Sequence, residues 1–388
     1  MIPSFLKNNS KIYLVAPSFG CTFSPYNDRL LESIKILKNM GYDIYIGPNC
    51  FKNNNTASNT AKKRAKEFMD AYKSDVDLIL SVGGGEVMCE ILPYISFDKI
   101  KKLKPKWFMG YSDNTNLTYT LTTICDIETI YGPHAPSFYT YPLEYDTLDA
   151  IRLLHGELEF NDYGKWEYST KKSDNPLEPY HLNKNSKIIA HNYTAPFNGR
   201  LIGGCLDCLI TLCGTKYDNT VNYINNHNEG IIFFLEACDL NSIQITRALF
   251  QLKNSNWFKN IKGFIIGRSN NYYDKSFGIT PKSAYLKALK DYNVPILLDV
   301  DLGHLGPSIP LRCGAYAEIS LINNRLHISY TNSSNEENWY LSFKELIISP
   351  NASGTESVKV WSNIIEPDLT WGNKVSITYF LPKSSLCT

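Results

Sequence analysis

Residues 106–113 read KWFMGYSD, and here a short apolar run meets a turn of small and polar residues. The segment that follows, up to about Ile124, has the spacing of a helix. A serine at such a bend is pushed out of the sheet, towards the crevice at the carboxyl ends of the strands. The N–H groups that open the helix point to the same place and can stabilise an oxyanion. Ser112 is therefore a candidate nucleophile.

The turn leaves a second interpretation of Ser112 open. A serine there also suits the N-cap of the next helix, and Asn114 stands where the common nucleophile turn has a second glycine. The glycines at 83–85 follow another apolar run, and such glycines let backbone N–H groups approach a ligand closely. Met88 stands where a dinucleotide fingerprint needs glycine, and no phosphate-loop lysine follows. A simple turn is the alternative for this glycine cluster.

Strands and helices alternate on both sides of the serine turn. Apolar runs separated by helical patterns are typical of a mostly parallel sheet with helices on both faces. The predicted fold class is α/β, with an N-terminal mostly parallel sheet and flanking helices, a smaller C-terminal α/β domain and a β-rich extension. Strands are predicted at 11–16, 43–46, 76–82, 106–110, 127–131, 230–235, 263–266 and 294–298, helices at 28–40, 61–72 and 242–252, and a hairpin at 317–330 that turns at Asn323-Asn324.

Changes in composition and in hydrophobic periodicity along the sequence divide the chain into four predicted parts. Residues 1–155 form the domain with the candidate nucleophile. Residues 156–198, rich in Asn, Lys, Pro and aromatic residues with weak periodicity, are predicted to be a linker and an irregular loop. Residues 199–330 form the C-terminal domain, and residues 331–388 a β-rich extension of unknown role.

Composition excludes several classes of function. The 39 Lys+Arg nearly cancel the 38 Asp+Glu, which leaves a net charge of +1, so we do not expect nucleic acid as a partner. No apolar run of about 18 residues predicts a membrane span. The N-terminus lacks the apolar core of a signal peptide, so we expect a cytoplasmic protein whose ten cysteines are mainly free thiols. The Cys205–Cys208 pair lacks the further ligands that zinc requires.

A serine nucleophile needs a base, and an acid that orients that base. Of the seven histidines, His134 and His304 follow predicted strands, and glycines around His304 keep its ring accessible. Glu236 ends the apolar run at 230–235, where a carboxylate is costly without a partner. A structural salt bridge is the alternative for Glu236.

Taken in chain order, these features resemble the LD-carboxypeptidase family of serine peptidases (peptidase family S66), which also holds the microcin C immunity peptidases. The resemblance covers roughly residues 10–330. It rests on Val15-Ala16-Pro17-Ser18, Gly84-Gly85, Leu92-Pro93-Tyr94, Gly110-Tyr111-Ser112-Asp113, Tyr131-Gly132-Pro133, Gly199-Arg200-Leu201-Ile202-Gly203-Gly204, Leu235-Glu236, Arg247 and Gly303-His304.

The resemblance implies a class I glutamine amidotransferase-like N-terminal domain and a Ser-His-Glu triad. Ser112 is then the nucleophile, His304 the base and Glu236 the acid that orients the base. The N–H groups of Gly85 and Asp113 are implied as the oxyanion hole, with no metal and no cofactor, in a homodimer. Substrate contacts are expected from Gly84, Trp166 and Arg200.

The resemblance also implies the class of substrate. The first expectation is hydrolysis of the terminal L,D-bond of a murein tetrapeptide, with release of D-alanine. The second is hydrolysis of a peptidyl-nucleotide, an acyl-sulfamoyl-adenylate whose purine stacks on Trp166, as self-immunity against microcin C. An inactive muropeptide-binding protein is the third. Arg200, Arg268 and Arg312 are the candidates for binding a substrate carboxylate.

The sequence departs from the family pattern in four places, one of which is the segment Pro310-Leu311-Arg312-Cys313-Gly314 after His304. Cys205 stands where Asn is usual, Ala237 stands where Asp is usual, and Glu86 adds a charge to the glycine loop. These departures leave the triad intact and bear on substrate identity. With His304 as base, activity is expected to rise with pH near the usual histidine pKa of about 6.5.

Overall fold

Two sheets dominate the computed structural model of the chain, which describes residues 1–168 and 174–331 and three strands nearer the C-terminus. The strands are β1 (Lys11–Val15), β2 (Asp43–Ile46), β3 (Leu78–Ser81), β4 (Trp107–Met109), β5 (Thr129–Tyr131), β6 (Glu159–Asn161), β7 (Lys165–Trp166), β8 (Lys184–Asn185), β9 (Ile189–His191), β10 (Phe197–Cys205), β11 (Ile231–Glu236), β12 (Ile261–Gly267), β13 (Ile296–Val300), β14 (Leu311–Cys313), β15 (Tyr316–Ile322), β16 (Arg325–Thr331), β17 (Lys344–Pro350), β18 (Glu356–Trp361) and β19 (Ile377–Tyr379).

The helices lie between the strands, as the alternating pattern predicts. They are α1 (Tyr26–Asn39), α2 (Ala61–Lys73), α3 (Phe97–Ile100), α4 (Thr115–Cys125), α5 (Tyr145–Leu154), α6 (Leu206–Leu212), α7 (Thr220–Asn226), α8 (Ser242–Asn254) and α9 (Pro281–Leu289), with short 3₁₀ helices at Met88–Tyr94, Ser112–Asn114, Ala135–Ser137 and Lys290–Tyr292. The predicted helices correspond to α1, α2 and α8.

The first sheet has the strand order β14-β5-β4-β3-β1-β2. Strands β1 to β5 are parallel, which confirms the mostly parallel N-terminal sheet. In such an open sheet, ligands bind beyond the carboxyl ends of the strands. The sixth strand, β14, comes from the second half of the sequence and pairs antiparallel with β5. The first sheet is therefore completed by residues far from it in sequence.

The second sheet has the strand order β6-β16-β15-β10-β11-β12-β13-β9. Its centre, β10 to β13, is parallel, and every residue of β11, IIFFLE, is buried. Both edge strands, β6 and β9, come from 156–198, where a linker and an irregular loop are predicted. Each edge strand has three residues, which is too short to show the alternation that identifies a strand.

The hairpin predicted at 317–330 is formed by β15 and β16. Asn323 and Asn324 both have positive φ, +53° and +59°, as the tight turns that join twisted antiparallel strands require. The hairpin places β15 beside β10 and so joins the antiparallel part of the second sheet to its parallel centre.

The chain forms two units, residues 1–332 and 333–388. The first unit contains both large sheets, and side chains of both, among them Leu80, Trp107, Phe234 and Leu297, share one buried apolar cluster. The second unit contains an antiparallel sheet of β17, β18 and β19. Among the described residues, no helix is long and apolar enough to cross a membrane.

Candidate active site

Ser112 occupies a strained turn directly beyond the first sheet. It follows β4, opens a 3₁₀ helix that leads into α4, and has a φ of +60°. A non-glycine residue in this region stores strain that the surroundings must hold in place. The Ser112 N–H donates to the Tyr131 hydroxyl at 3.1 Å, and the Thr115 hydroxyl donates to the Ser112 carbonyl at 2.7 Å. The turn therefore presents the side chain instead of merely capping a helix.

His304 and Glu236 meet Ser112 from the second sheet. The distance from Ser112 Oγ to His304 Nε2 is 2.9 Å, and the distance from His304 Nδ1 to Glu236 Oε2 is 2.8 Å. Glu236 is the last residue of β11, and His304 follows β13, so the carboxyl ends of both sheets converge on one crevice. The structure thus brings together the three residues that were predicted from sequence, in the order nucleophile, imidazole and carboxylate.

Tyr131 connects the two sheets at the site. Its hydroxyl donates to Glu236 Oε1 at 2.6 Å while it accepts the N–H of Ser112. Both carboxylate oxygens of the fully buried Glu236 therefore have a donor. The motif Tyr131-Gly132-Pro133 was noted in the sequence, but nothing in it indicated this bridge, because Tyr131 and Glu236 lie far apart along the chain.

Glu236 and His304 form an ion pair in which each fixes the charge of the other. Burial raises the pKa of Glu236, but the charge and hydrogen bond of His304 and the Tyr131 hydroxyl outweigh it and leave this pKa below its usual value. Burial lowers the pKa of His304, but Glu236 and Cys238 outweigh it and hold this pKa well above 6.5. His304 therefore needs a more alkaline medium than an isolated imidazole before it can accept a proton.

The glycine loop lies against the nucleophile. A Cβ on Gly84 would lie 3.1 Å from Ser112 Oγ, and Gly85, with φ +138°, would place one 2.3 Å from Ser18 Oγ. The Ser18 hydroxyl donates to Asp113 Oδ2 at 2.5 Å, and the Met88 N–H donates to the same oxygen at 2.8 Å. These bonds hold Gly85 and Asp113 beside Ser112. Their role as an oxyanion hole stays a prediction, to which the placement is suited.

His134, the other histidine that follows a strand, packs against the turn that contains Ser112. Its ring stacks on Tyr111 at 4.2 Å, and its Nε2 lies 3.0 Å from both the Asn114 amide nitrogen and the Tyr111 carbonyl oxygen. Burial lowers the pKa of His134 to about 3. The ring is therefore neutral, and it packs against the nucleophile turn.

Two cavities flank Ser112. The first, here the histidine-side cavity, has a volume of about 230 Å³ and is lined by His304 and, among others, Arg29, Tyr111, Tyr139 and Tyr180. The second, here the acidic cavity, has a volume of about 90 Å³ and is lined by Ser112 and, among others, Glu86, Asp113, Asn116, Asp207 and Asp239.

Two residues expected to contact substrate lie elsewhere. Trp166 is 3% exposed, its ring 4.7 Å from the Arg268 guanidinium and 5.0 Å from the ring of Tyr272. A ligand reaches the Trp166 ring only after these neighbours have moved. Arg200 lies midway along β10 and is paired with Glu229, whereas the strand's last residue, Cys205, lines the acidic cavity. Substrate contacts by both residues stay predictions that this arrangement does not favour.

The three arginines that were considered for binding the substrate carboxylate all have carboxylate partners within the protein. Arg200 pairs with Glu229, Arg268 with Asp301 and Arg312 with Glu128. Sequence reasoning missed Arg29, which lines the histidine-side cavity. Its Nε donates to the Pro176 carbonyl at 2.6 Å and its guanidinium lies 4.4 Å from the centre of the Tyr139 ring. Arg29 forms no ion pair with any carboxylate of the described chain.

The Cys205–Cys208 pair, at the junction of β10 and α6, lies at the site. Cys205 and Cys208 both line the acidic cavity, and burial raises the pKa of the Cys205 thiol well above its usual value. Protonated thiols are poor metal ligands. Within residues 1–168 and 174–331, no group of three or more His, Cys, Asp or Glu side chains is placed to hold a metal ion.

Comparison with protein families identifies this arrangement. Residues 12–132 match the model of the LD-carboxypeptidase N-terminal domain, and residues 198–319 match the LD-carboxypeptidase C-terminal domain. The chain belongs to the LD-carboxypeptidase family. Ser112 lies in the first matched domain, and Glu236 and His304 lie in the second, so the crevice joins the two parts that define this peptidase family.

Individual relatives fall on both branches of the LD-carboxypeptidase family. The microcin C7 self-immunity protein MccF of Escherichia coli is 27% identical over 320 residues, 80% of this chain and 90% of the relative. A probable murein peptide carboxypeptidase of Bacillus subtilis is 24% identical over 332 residues, 82% of this chain and 91% of the relative. The crystal structure of an MccF-like protein from Bacillus anthracis superimposes with a TM-score of 0.73 at 24% identity and covers 85% of this chain and 100% of that one.

Proposed function

We propose that the protein is a serine carboxypeptidase that hydrolyses an amide bond of a small peptide, in the first place the terminal L,D-bond of a murein tetrapeptide. The observation that carries the proposal is the continuous chain of hydrogen bonds from Ser112 Oγ through His304 to Glu236, built on a strained turn. A nucleophile, a base and an orienting acid at these distances are what acyl transfer requires. A protein that only binds muropeptides has no need of such strain.

The reaction follows from the positions of these groups. Ser112 Oγ attacks the amide carbonyl while His304 Nε2 takes the hydroxyl proton. Glu236 stabilises the imidazolium that forms, and the N–H groups of Gly85 and Asp113 receive the negative oxygen. His304 then gives its proton to the leaving amine, which departs as D-alanine. Water, deprotonated by the same imidazole, hydrolyses the acyl-enzyme and frees Ser112.

The leaving group of this reaction lies on the side of His304. Arg29 supplies a cation there, and the terminal carboxylate of D-alanine is its natural partner. The nearest carboxylates in that cavity have donors of their own: Glu144 accepts the Tyr180 N–H at 3.1 Å, and Asp146 accepts the Tyr180 hydroxyl at 3.0 Å. We assign the substrate carboxylate to Arg29 in place of the arginines considered from sequence.

A peptidyl-nucleotide is the second candidate substrate, and the size of the crevice favours it. The histidine-side cavity shares Arg29, Tyr139 and Tyr180 with a neighbouring cavity of about 1100 Å³, whose wall includes the exposed rings of Phe23 and Tyr26. This space exceeds what D-alanine needs and suits an aromatic ligand. MccF has been solved in complex with aspartyl sulfamoyl adenosine. Self-immunity against a microcin would follow if this leaving group is accepted here.

One incubation tests the enzyme and its substrate class together. The purified protein receives a murein tetrapeptide and aspartyl-sulfamoyl adenosine, and mass spectrometry follows both. We expect loss of D-alanine from the tetrapeptide; cleavage of the nucleotide conjugate alone would replace the first substrate by the second. Ser112→Ala should abolish turnover, with a loss on the order of 10⁴-fold or more, whereas Ser74→Ala, a serine at the end of α2, serves as the control. Turnover that survives in Ser112→Ala contradicts the triad. The cytoplasmic location and the homodimer stay predictions.

A further inference from the structure

His304 lies on a segment without regular secondary structure, residues 302–308, here the His304 segment. The Gly303 N–H donates to Ser308 Oγ at 3.0 Å, which closes the segment around His304. A catalytic group that is misplaced by about 1 Å can lose about 10²-fold in rate. The activity therefore depends on what holds this segment against the nucleophile.

Asp146, in the first turn of α5, holds the His304 segment from outside. Its Oδ2 accepts the Ser308 N–H at 3.4 Å and the Tyr180 hydroxyl at 3.0 Å, and its Oδ1 accepts the Thr147 N–H at 2.8 Å. A Cβ on Gly306 would lie 2.7 Å from the Tyr180 hydroxyl, so Tyr180 also packs closely against the segment. Tyr180 and the His304 segment thus meet at one carboxylate oxygen.

The charge of Asp146 is used by the two bonds on Oδ2. Asp146 is 4% exposed, and its three donors are neutral groups. A buried carboxylate without a counter-charge costs free energy. An amide oxygen could accept the Thr147 N–H equally well, but an ionised oxygen is the acceptor that holds two donors at once most firmly. The fold therefore keeps a costly charge where it contacts the His304 segment.

Asp146 changes its charge close to neutral pH. Burial raises its pKa to about 6, although its hydrogen bonds oppose this, and the charge of Glu144 adds to the rise. Once Oδ2 is protonated it becomes a donor and cannot accept both Tyr180 and Ser308. The hold on the His304 segment should therefore weaken as the pH falls through about 6.

The other titratable groups that face Asp146 come from several parts of the chain. They are Glu144 at the start of α5, Arg29 on α1, His304, and the tyrosines Tyr111, Tyr139, Tyr163 and Tyr180. Burial raises the pKa of all four tyrosines, which therefore stay neutral. Arg29 stays charged, and the pKa of His304 lies well above 6.5.

We propose that Asp146 is a positioning residue for the amide hydrolysis: its ionised carboxylate holds the His304 segment, through Ser308 and Tyr180, where His304 reaches Ser112. The proposal rests on the proposed function and adds a residue that controls the base. Asp146 and Tyr180 both lie between the two matched family domains, residues 12–132 and 198–319. The control therefore comes from the stretch that connects these domains.

Asp146→Asn tests the proposal through the pH profile of murein tetrapeptide hydrolysis. The amide keeps the size of the side chain but not its charge, so kcat/KM should fall about 10- to 100-fold at about pH 8. Below about pH 6 the wild type should lose activity more steeply than the tenfold per pH unit that His304 alone imposes, because Asp146 is protonated as well. The variant should lack this steep limb. A wild type without the limb, or a variant that keeps it, overturns the proposal.

Asp149→Asn is the matched control. Asp149 also lies on α5 and is 7% exposed, but it pairs with Arg152 and does not line the histidine-side cavity. Its replacement should lower the melting temperature and leave the shape of the pH profile unchanged. If the two variants change the profile alike, the effect belongs to stability and the proposal fails.

Tyr180→Phe keeps the test open if Asp146→Asn does not fold. The Tyr180 hydroxyl bond lowers the pKa of Asp146, so its removal should raise this pKa further. The steep limb should then begin at a higher pH than in the wild type. A limb that begins at the same pH means that the ionisation of Asp146 does not cause it, which overturns the proposal.

Ser308→Ala tests the path from Asp146 to His304. It removes the acceptor of the Gly303 N–H from the same segment, so it should lower kcat/KM by itself. Because both changes loosen one segment, their losses in Asp146→Asn/Ser308→Ala should combine to less than the product of the two. A full product would show that Asp146 acts independently of the His304 segment, against the proposal.

Fluorophosphonate labelling of Ser112 separates this proposal from the choice of substrate, because the probe needs an activated serine but no peptide. If wild type hydrolyses no tetrapeptide, yet labels with a steep acid limb that Asp146→Asn lacks, the positioning role stands and the proposed function fails. If the tetrapeptide is hydrolysed and both proteins give profiles of the same shape, the positioning role is overturned and the proposed function stands.

Discussion

The nucleophile half and the acid–base half of the crevice are held in place by different forces. Ser112 is fixed by its left-handed backbone, by the Tyr131 hydroxyl on its N–H and by the neutral ring of His134 behind its turn. His304 and Glu236 are fixed by a buried ion pair, in which the histidine side chain is 15% exposed and the glutamate is fully buried. One half is positioned by strain and neutral contacts, and the other by charge.

Because of this difference, we expect the activity to respond differently to pH when the two halves are changed. His134 stays neutral across the physiological range, because burial lowers its pKa to about 3. The pKa of His304 is held well above 6.5 by Glu236. Changes in the nucleophile half should therefore lower the rate at every pH. Changes in the acid–base half should lower the rate and also move the pH profile.

The largest effect within the acid–base half is expected from Glu236→Gln. The amide keeps the shape but cannot stabilise the imidazolium, so kcat should fall about 10²- to 10⁴-fold. The residual activity should reach its plateau at lower pH, because the carboxylate that raises the pKa of His304 is gone. Glu128→Gln, which removes the charge from the buried Glu128–Arg312 pair, is the matched control. It should lower the melting temperature and leave the pH profile in place; an unshifted profile in Glu236→Gln would contradict the ion-pair account.

The contact between Gly303 and Glu236 offers a steric way to disturb the same half. Gly303 has φ +105°, and a Cβ there would lie 2.7 Å from Glu236 Oε2. Gly303→Ala should displace the carboxylate from His304 and lower kcat/KM about 10- to 100-fold. Gly278→Ala carries the same backbone penalty, with φ +81°, but its Cβ would meet nothing within 4 Å. Steady-state kinetics on both variants should show a loss only in Gly303→Ala, and equal losses would assign the effect to backbone strain.

The pH profile of the wild type is expected to differ from that of a free imidazole. Only neutral His304 can accept the Ser112 proton, and its raised pKa keeps it protonated to higher pH. The value of kcat/KM should therefore rise about tenfold per pH unit below a midpoint that lies above 6.5. The expected midpoint is therefore higher than the value of about 6.5 expected from the sequence. A midpoint at or below 6.5, measured in buffers of constant ionic strength, would show that Glu236 does not control the charge of His304.

The smallest effect is expected where the two halves meet, at Tyr131. Tyr131→Phe removes a donor from Glu236 and the acceptor of the Ser112 N–H. Each is one hydrogen bond, so we expect a loss of about 3- to 10-fold in kcat/KM. Tyr223→Phe removes another buried hydroxyl, one with no hydrogen-bond partner in the described structure, and should keep full activity. An equal loss in both variants would mean that the bridge contributes nothing specific.

The buried strands and the triad could be predicted because each has a local signal. The run IIFFLE is apolar throughout and ends on a carboxylate, and KWFMGYSD ends on a serine at a bend. Chain order then placed Ser112, Glu236 and His304 at strand ends, where parallel sheets collect functional groups.

The features that could not be predicted from the sequence depend on contacts between residues that are distant along the chain. Arg200 is an unremarkable cation in the sequence, but the structure places Glu229 against it, whereas Arg29 has no carboxylate partner in the described chain. For the same reason, the sequence did not indicate that Tyr131 bridges the two sheets or that β14 is the last strand of the first sheet. Trp166 was expected to stack a ligand. In the structure Arg268 and Tyr272 cover its ring, and nothing in the sequence indicates these contacts.

Labelling with a fluorophosphonate tests the central claim most directly, because such a probe reacts with a serine only when a neighbouring base activates it. Intact-protein and peptide mass spectrometry would follow the adduct at pH 6 and pH 8. The account predicts one adduct, on Ser112, that forms faster at pH 8 and is lost in His304→Ala. No adduct on Ser112, or equal labelling in His304→Ala, would contradict a nucleophile activated across the two sheets.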